Sequence, residues 1–169
     1  MKPLRRALAI LLVVLLAAGA GLALKRFAFG TIRVAGASME DTLRGGYVAL
    51  VTRWDYASRD PEPGDVVECR FPGRSDTYVK RIVALPGDEV VFSGGALTIN
   101  GEHVDEPYLS TPTEDYAVTL GADEFLALGD NRAESYDSRM ADMGPISKSD
   151  ILGRARWILL PLGRFGPIR

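Results

Sequence analysis

The feature that most constrains this chain is an unbroken run of 18 uncharged residues from Ala7 to Leu24, ALAILLVVLLAAGAGLAL. It is bracketed by Arg5-Arg6 and Lys25-Arg26. As a helix the run spans roughly 27 Å, about the hydrocarbon thickness of a bilayer. A cleaved signal peptide is the competing reading, with a small-residue exit at Ala18-Gly19-Ala20. The run is longer than the apolar stretch of a usual signal, and charges resume immediately after it, so an uncleaved single span is favoured. Lys2, Arg5 and Arg6 lie on one side and Lys25, Arg26 and Arg33 on the other, so charge does not orient the span.

The body of the chain after this run is acidic. Residues 1–30 carry five basic side chains and no acidic one, and the remaining 139 residues carry 15 basic against 22 acidic. Nucleic acid is a poor partner for such a body, because phosphate binding needs clustered Lys and Arg. The single cysteine, Cys69, and the single histidine, His103, exclude an intramolecular disulfide, a CxxC zinc site and a multi-histidine metal centre.

Beyond the apolar run, short β-rich stretches alternate with Gly, Pro and Asp punctuation. They are YVALV (47–51), DVVECRF (65–71), TYVKRIVAL (77–85), DEVVF (88–92), ALTIN (96–100), EFLALG (124–129) and RARWILLP (154–161). Outside the first segment, no stretch keeps a long 3.6-residue apolar period. Asn100-Gly101 is a type I′ hairpin signal joining ALTI to EHVDE, and Pro86-Gly87-Asp88 and Gly94-Gly95 mark further turns. The expected fold is mainly β: an antiparallel β-sheet domain preceded by one N-terminal transmembrane helix.

The residue inventory narrows the chemistry. His103 sits beside a predicted hairpin turn, which favours a solvated side chain over a triad base. Paired carboxylates are numerous, but no spacing singles one pair out. An activated serine could instead use lysine as its base, provided that burial disfavours the ammonium form. Lys80 meets that condition inside an apolar strand, sharing a face with Tyr78 and Ile82 while Arg81 points the other way. The same residue would also suit an edge strand, where lysine deters aggregation. Lys148, in the polar stretch SKSD, should be solvated. The stretch GDNRAESYDSR (129–139) could be a solvated turn, or a loop whose mutual hydrogen bonds and ion pairs brace a site. Cys69, in VVECRF, reads as a buried strand residue.

Together these stretches resemble the type I signal peptidases, the Ser-Lys membrane endopeptidases. SMEDTL (38–43) is similar to the family's serine box, GDVV (64–67) to its Gly-Asp strand box, KRIVALPGD (80–88) to its lysine box and GDNRAESYDSR (129–139) to its Gly-Asp-Asn-Arg box. All four stand in the family's order. The resemblance implies Ser38 as nucleophile and Lys80 as general base, with Ser135 orienting the lysine amine. Asp137 and Arg139, with Asp130 and Arg132, would form an ion-pair scaffold. The Ser38 amide would contribute to the oxyanion hole. Gly36 stands where some members have a further serine, so it could contribute only backbone.

Val34, Met39, Leu43 and Val79 would line shallow apolar substrate pockets. Simple alternation sets Val79 and Lys80 on opposite faces of one strand, so substrate must run along the strand edge or the strand must twist. The resemblance also implies removal of signal peptides from secreted preproteins after Ala-x-Ala-like sites, with no metal or other cofactor. It implies a single-pass cell-membrane protein, with the lipid bilayer as a partner and the catalytic domain extracytoplasmic. Residues 1–30 would form a cytoplasmic stub and anchor, and residues 31–169 the peptidase domain. Nothing in the sequence sets an oligomeric state.

Two other readings share these residues: another Ser-Lys peptidase of pilin-processing or autocleaving type, and a catalytically impaired membrane-anchored binding homologue. Asp41 departs from the family pattern, which has proline there. With Glu40 it brings two carboxylates near Ser38 in sequence, and a carboxylate approaching Lys80 would favour its ammonium form.

Overall fold

Runs rich in Val, Ile and aromatic residues place their side chains well on a pleated surface, and here they pair into two antiparallel sheets. The computed structural model describes residues 6, 10–19, 21, 28–40, 42–109 and 111–169. In chain order the strands are β1 (Phe29–Arg33), β2 (Val48–Thr52), β3 (Val66–Cys69), β4 (Tyr78–Ala84), β5 (Glu89–Ser93) and β6 (Ala96–Ile99). They continue with β7 (Glu102–Val104), β8 (Tyr116–Thr119), β9 (Leu126–Leu128), β10 (Ile151–Leu160) and β11 (Gly166–Pro167). The larger sheet runs β1-β2-β10-β3-β4-β9, with β11 also paired to β10. The smaller sheet runs β7-β6-β5-β8.

Each predicted β-rich run contains a strand. Asn100 and Gly101 take left-handed φ values of 53° and 82°, and the β6–β7 register pairs Ile99 with Glu102. This is the geometry a two-residue primed turn needs. The strands β1, β8 and β11 were not expected. Their sequences, FGTIR, YAVT and GP, are too short or too interrupted by Gly and Pro to show a period of two.

Strand β4 carries Lys80. It lies between β3 and β9, pairing Val67 with Lys80, Val66 with Arg81, and Arg81 with Leu128. From Val79 to Ala84 every residue is buried, so both faces of the strand are covered. The edge-strand alternative for Lys80 therefore does not hold; its side chain is only 2% exposed. Beneath the strand's C-terminal half, Val83, Val90, Phe92, Leu97, Leu126 and Leu128 join the two sheets in one apolar cluster. Burying each of the larger of these side chains contributes about 1.5–3 kcal/mol.

His103 is exposed and hydrogen-bonded to Asp105 at 3.1 Å, as its turn position predicts. Lys148 is half-exposed and pairs with Asp60 at 2.6 Å. Cys69 is fully buried, and burial pushes its thiol up to about 12. Residues 10–19 are helical, with Ile10 to Leu16 exposed. Residues 7–9, 20 and 22–24 of the apolar run lie outside the described residues. Among the described residues, no helix is long and apolar enough to cross a membrane.

Candidate active site

The serine turn is built from glycine and backbone hydrogen bonds. Beyond β1, the amide of Val34 donates to the Tyr47 carbonyl and that of Gly46 to the Val34 carbonyl, each at 2.9 Å, closing the loop between them. Gly36 takes φ +77°, a left-handed conformation that a side chain would strain. The chain then turns through Ser38: the Glu40 amide donates to the Ala37 carbonyl at 3.0 Å, and the Leu43 amide to the Met39 carbonyl at 2.7 Å. Met39 and Leu43 are buried and anchor the turn, leaving Ser38 partly exposed. Neither the hydroxyl nor the amide of Ser38 donates to another described residue.

Lys80 meets this turn through the loop after β9. Its Nζ donates to Ser135 Oγ at 3.0 Å. Burial lowers the pKa of the amine, because desolvation penalises the ammonium. The Asp137 carboxylate and the Cys69 thiol oppose that shift, and the Arg139 guanidinium reinforces it. Burial alone would raise the Asp137 carboxyl, but the Arg139 guanidinium and the Ser135 hydroxyl hold it below the usual carboxylate range. Asp137 accepts from Arg139 Nε at 2.9 Å and from the Gly129 amide at 3.1 Å. An amine so placed loses its proton more readily than a solvated lysine does, which is the direction a general base requires.

Gly129 is the point of closest approach. A Cβ there would lie 2.2 Å from Ser135 Oγ and 2.4 Å from the Ser38 carbonyl oxygen, so only glycine lets the serine turn and Ser135 share this space. Asn131 completes the junction: its amide donates to the Ser38 carbonyl at 3.0 Å, and its Nδ2 to the Ala37 carbonyl at 3.2 Å.

Beside the serine turn is a cleft of about 230 Å³, lined by residues 32–35, Ser38, Met39 and residues 77–79. One wall continues β1, whose edge opposite β2 pairs with no other described strand, and the other is the start of β4 before its pairing with β9 begins at Arg81. Val79 lines the cleft, while Lys80, the next residue along β4, hydrogen-bonds Ser135 in the loop after β9.

A family model for signal peptidases, peptidase family S26, matches residues 4–160. Over 137 residues the chain is 37% identical to a probable signal peptidase I-2 of Synechocystis, an alignment covering 76% of this chain and 62% of that protein. It is 33% identical over 165 residues to signal peptidase I P of Bacillus subtilis subsp. natto, covering 90% of this chain and 86% of that protein. The chain belongs to the signal peptidase I family. A crystal structure of a signal peptidase I from Enterococcus faecalis V583 superposes with a TM-score of 0.52 at 26% identity. It covers 57% of this chain and 97% of the other. The mainly antiparallel β fold is that of signal peptidase I.

In this family member the serine, lysine and Gly-Asp-Asn-Arg boxes meet around Gly129 and Ser135. Asp137 and Arg139 pair as the resemblance implies. Asp130 and Arg132 do not pair with each other. Asp130 accepts both arms of Arg81, Nε at 2.8 Å and Nη2 at 2.7 Å, and the Thr42 hydroxyl. Arg132 pairs with Glu106, contacts Thr113 and lies over the Phe92 ring at 5.3 Å, holding the smaller sheet against the site loop. Val34, Met39 and Val79 line the cleft. Leu43 is fully buried in the apolar cluster behind it, and Gly36 lies off its walls.

The Gly-Asp box is structural. Gly64 takes φ +91° and its carbonyl accepts from Arg81 Nη1 at 2.8 Å. Asp65 gathers Tyr56, Arg59 and Arg154 at 2.8–2.9 Å. Sequence reasoning did not single out Thr42, Arg81, Glu106 or Asn131. Arg81 left a signal: a second cation beside Lys80 in an apolar strand requires a buried partner of its own. Asp41 lies outside the described residues.

Proposed function

We propose that the chain is a serine endopeptidase of signal peptidase I type, with Ser38 as nucleophile and Lys80 as its general base. The observation that carries this reading is the buried Lys80 amine. It is depressed in pKa and oriented by Ser135, in the site where the serine turn packs on the Gly129–Arg139 loop. In the proposed reaction Lys80 takes the hydroxyl proton as Ser38 Oγ attacks the scissile carbonyl, and the Ser38 amide donates to the resulting oxyanion. The proton passes from Lys80 to the leaving amine, giving an acyl-serine and a free mature N-terminus. Water, deprotonated by the same amine, then hydrolyses the ester. Asp130 and Arg81, Asp137 and Arg139, and Arg132 with Glu106 act as the frame that holds these groups.

The substrates would be secreted preproteins with Ala-x-Ala-like sites, whose small side chains suit an apolar cleft walled by Val34, Met39 and Val79. Residues 1–30 would be a cytoplasmic stub and single transmembrane anchor, and residues 31–169 the peptidase domain on the extracytoplasmic side. The 18-residue apolar run supports the anchor. Confinement to the bilayer surface raises the local concentration of a membrane-held substrate without any added contact. The test is incubation of the detergent-solubilised full chain with a preprotein bearing Ala-x-Ala. A product whose N-terminus directly follows that site is expected; no cut, or a cut elsewhere, overturns the reading.

The pH dependence offers a second check. Activity should rise as Lys80 loses its proton, and Asp137 favours the protonated form. Asp137→Asn removes that attraction and leaves the opposing Arg139 charge, so the acid limb of kcat/KM should move to lower pH. A shift to higher pH would contradict the assigned electrostatics.

A further inference from the structure

Arg33 is the only charged side chain among the described residues that line the cleft. It is exposed, and it makes no hydrogen bond or ion pair with another described residue. It lies at the end of β1, where exposure alternates: Thr31 and Arg33 outward, Ile32 and Val34 inward. The edge of β1 opposite β2 pairs with no other described strand, and the start of β4 lines the same cleft.

An extended peptide that adds to this edge must follow the same alternation. Its first and third residues before the cut, if they enter the apolar side beside Val34, Met39 and Val79, leave the second and fourth on the outer side with Arg33. We infer that Arg33 is a specificity-determining residue that favours substrates carrying a carboxylate at the second or fourth position before the scissile bond and disfavours a cation there. This rests on the proposed peptidase reading. The guanidinium can meet a carboxylate with two parallel N–H donors, and at a partly open cleft the attraction is modest and screened by salt.

The experiment uses the detergent-solubilised full chain and synthetic peptides with Ala at the first and third positions. Glu, Gln or Lys is placed at the second position in one series and at the fourth in another. In at least one series kcat/KM should fall in the order Glu, Gln, Lys, with about a fivefold span at low salt that shrinks in high salt. Arg33→Gln should flatten that span, and Arg33→Glu should reverse its order. Cleavage of all peptides at equal rates, or a span unchanged in Arg33→Gln, overturns the inference and leaves the peptidase reading standing. Cleavage of none overturns both. If Arg33→Glu instead weakens binding to phosphatidylglycerol vesicles relative to phosphatidylcholine and leaves the peptide order unchanged, Arg33 is a lipid contact and the inference fails.

Discussion

Lys80→Met is expected to lower kcat by about a hundred- to ten-thousandfold, the usual worth of a positioned general base, while leaving the fold intact. The two side chains have similar length, and the methionine would occupy the same buried site among the residues around Ser135. Stability should change little, because opposing terms nearly cancel. Removing the amine leaves Ser135 Oγ without its donor, costing about 1 kcal/mol. It also removes the desolvation penalty that the amine bears in the folded state. Ser38→Ala should remove at least about 10⁴-fold, since loss of a nucleophile is rarely compensated by the remaining groups. The measurements are single-turnover cleavage and the thermal midpoint of each variant. A Lys80→Met protein with more than a tenth of wild-type kcat would sink the Ser-Lys mechanism while leaving family membership untouched.

Gly129→Ala should be nearly as damaging, for a purely geometric reason. The new methyl would lie 2.2 Å from Ser135 Oγ, 2.6 Å from Ser135 Cβ and 2.4 Å from the Ser38 carbonyl oxygen. Ser135 cannot swing aside without releasing Lys80, and the Ser38 carbonyl is backbone held by Asn131. Interiors are too densely packed to absorb such overlap, so the serine turn and the loop must separate. A shift of about 1 Å between reacting groups costs on the order of a hundredfold in rate, and overpacking costs about 1–3 kcal/mol of stability. Gly163→Ala is the matched control, because a Cβ there meets nothing within 4 Å. Wild-type kcat in Gly129→Ala would mean that the two segments do not approach this closely.

The hairpin at Asn100-Gly101 and the apolar strand around Lys80 were legible in the sequence because each depends on neighbours a few residues away. Strands β1 and β8 were not, since FGTIR and YAVT become strands only by pairing with β2 and β5. The site divides in the same way. Lys80 was legible only as a candidate base: its apolar neighbours suggested desolvation but equally suited an edge strand, and it was the resemblance of the four boxes that implied the role. The partner of Asp130 was not legible: the resemblance placed Asp130 in an ion-pair scaffold without naming its partner, and Arg81, 49 positions away, takes both carboxylate oxygens. Glu106 had no marker at all, because its importance lies in neutralising Arg132, 26 positions away, from the loop after β7.

By itself, the sequence determined the β-rich body, the 18-residue apolar run, and four ordered boxes that include Ser38 and Lys80. These rest on periodicity, length and residue chemistry, all local properties. The tertiary structure decided that β4 is interior, that its start forms one wall of a cleft beside Ser38, and that Gly129 is the gap through which the serine turn reaches Ser135. A lysine becomes a base only when surrounding elements exclude water from it. That exclusion is the work of strands and loops distant in sequence, and only their packing brings it about.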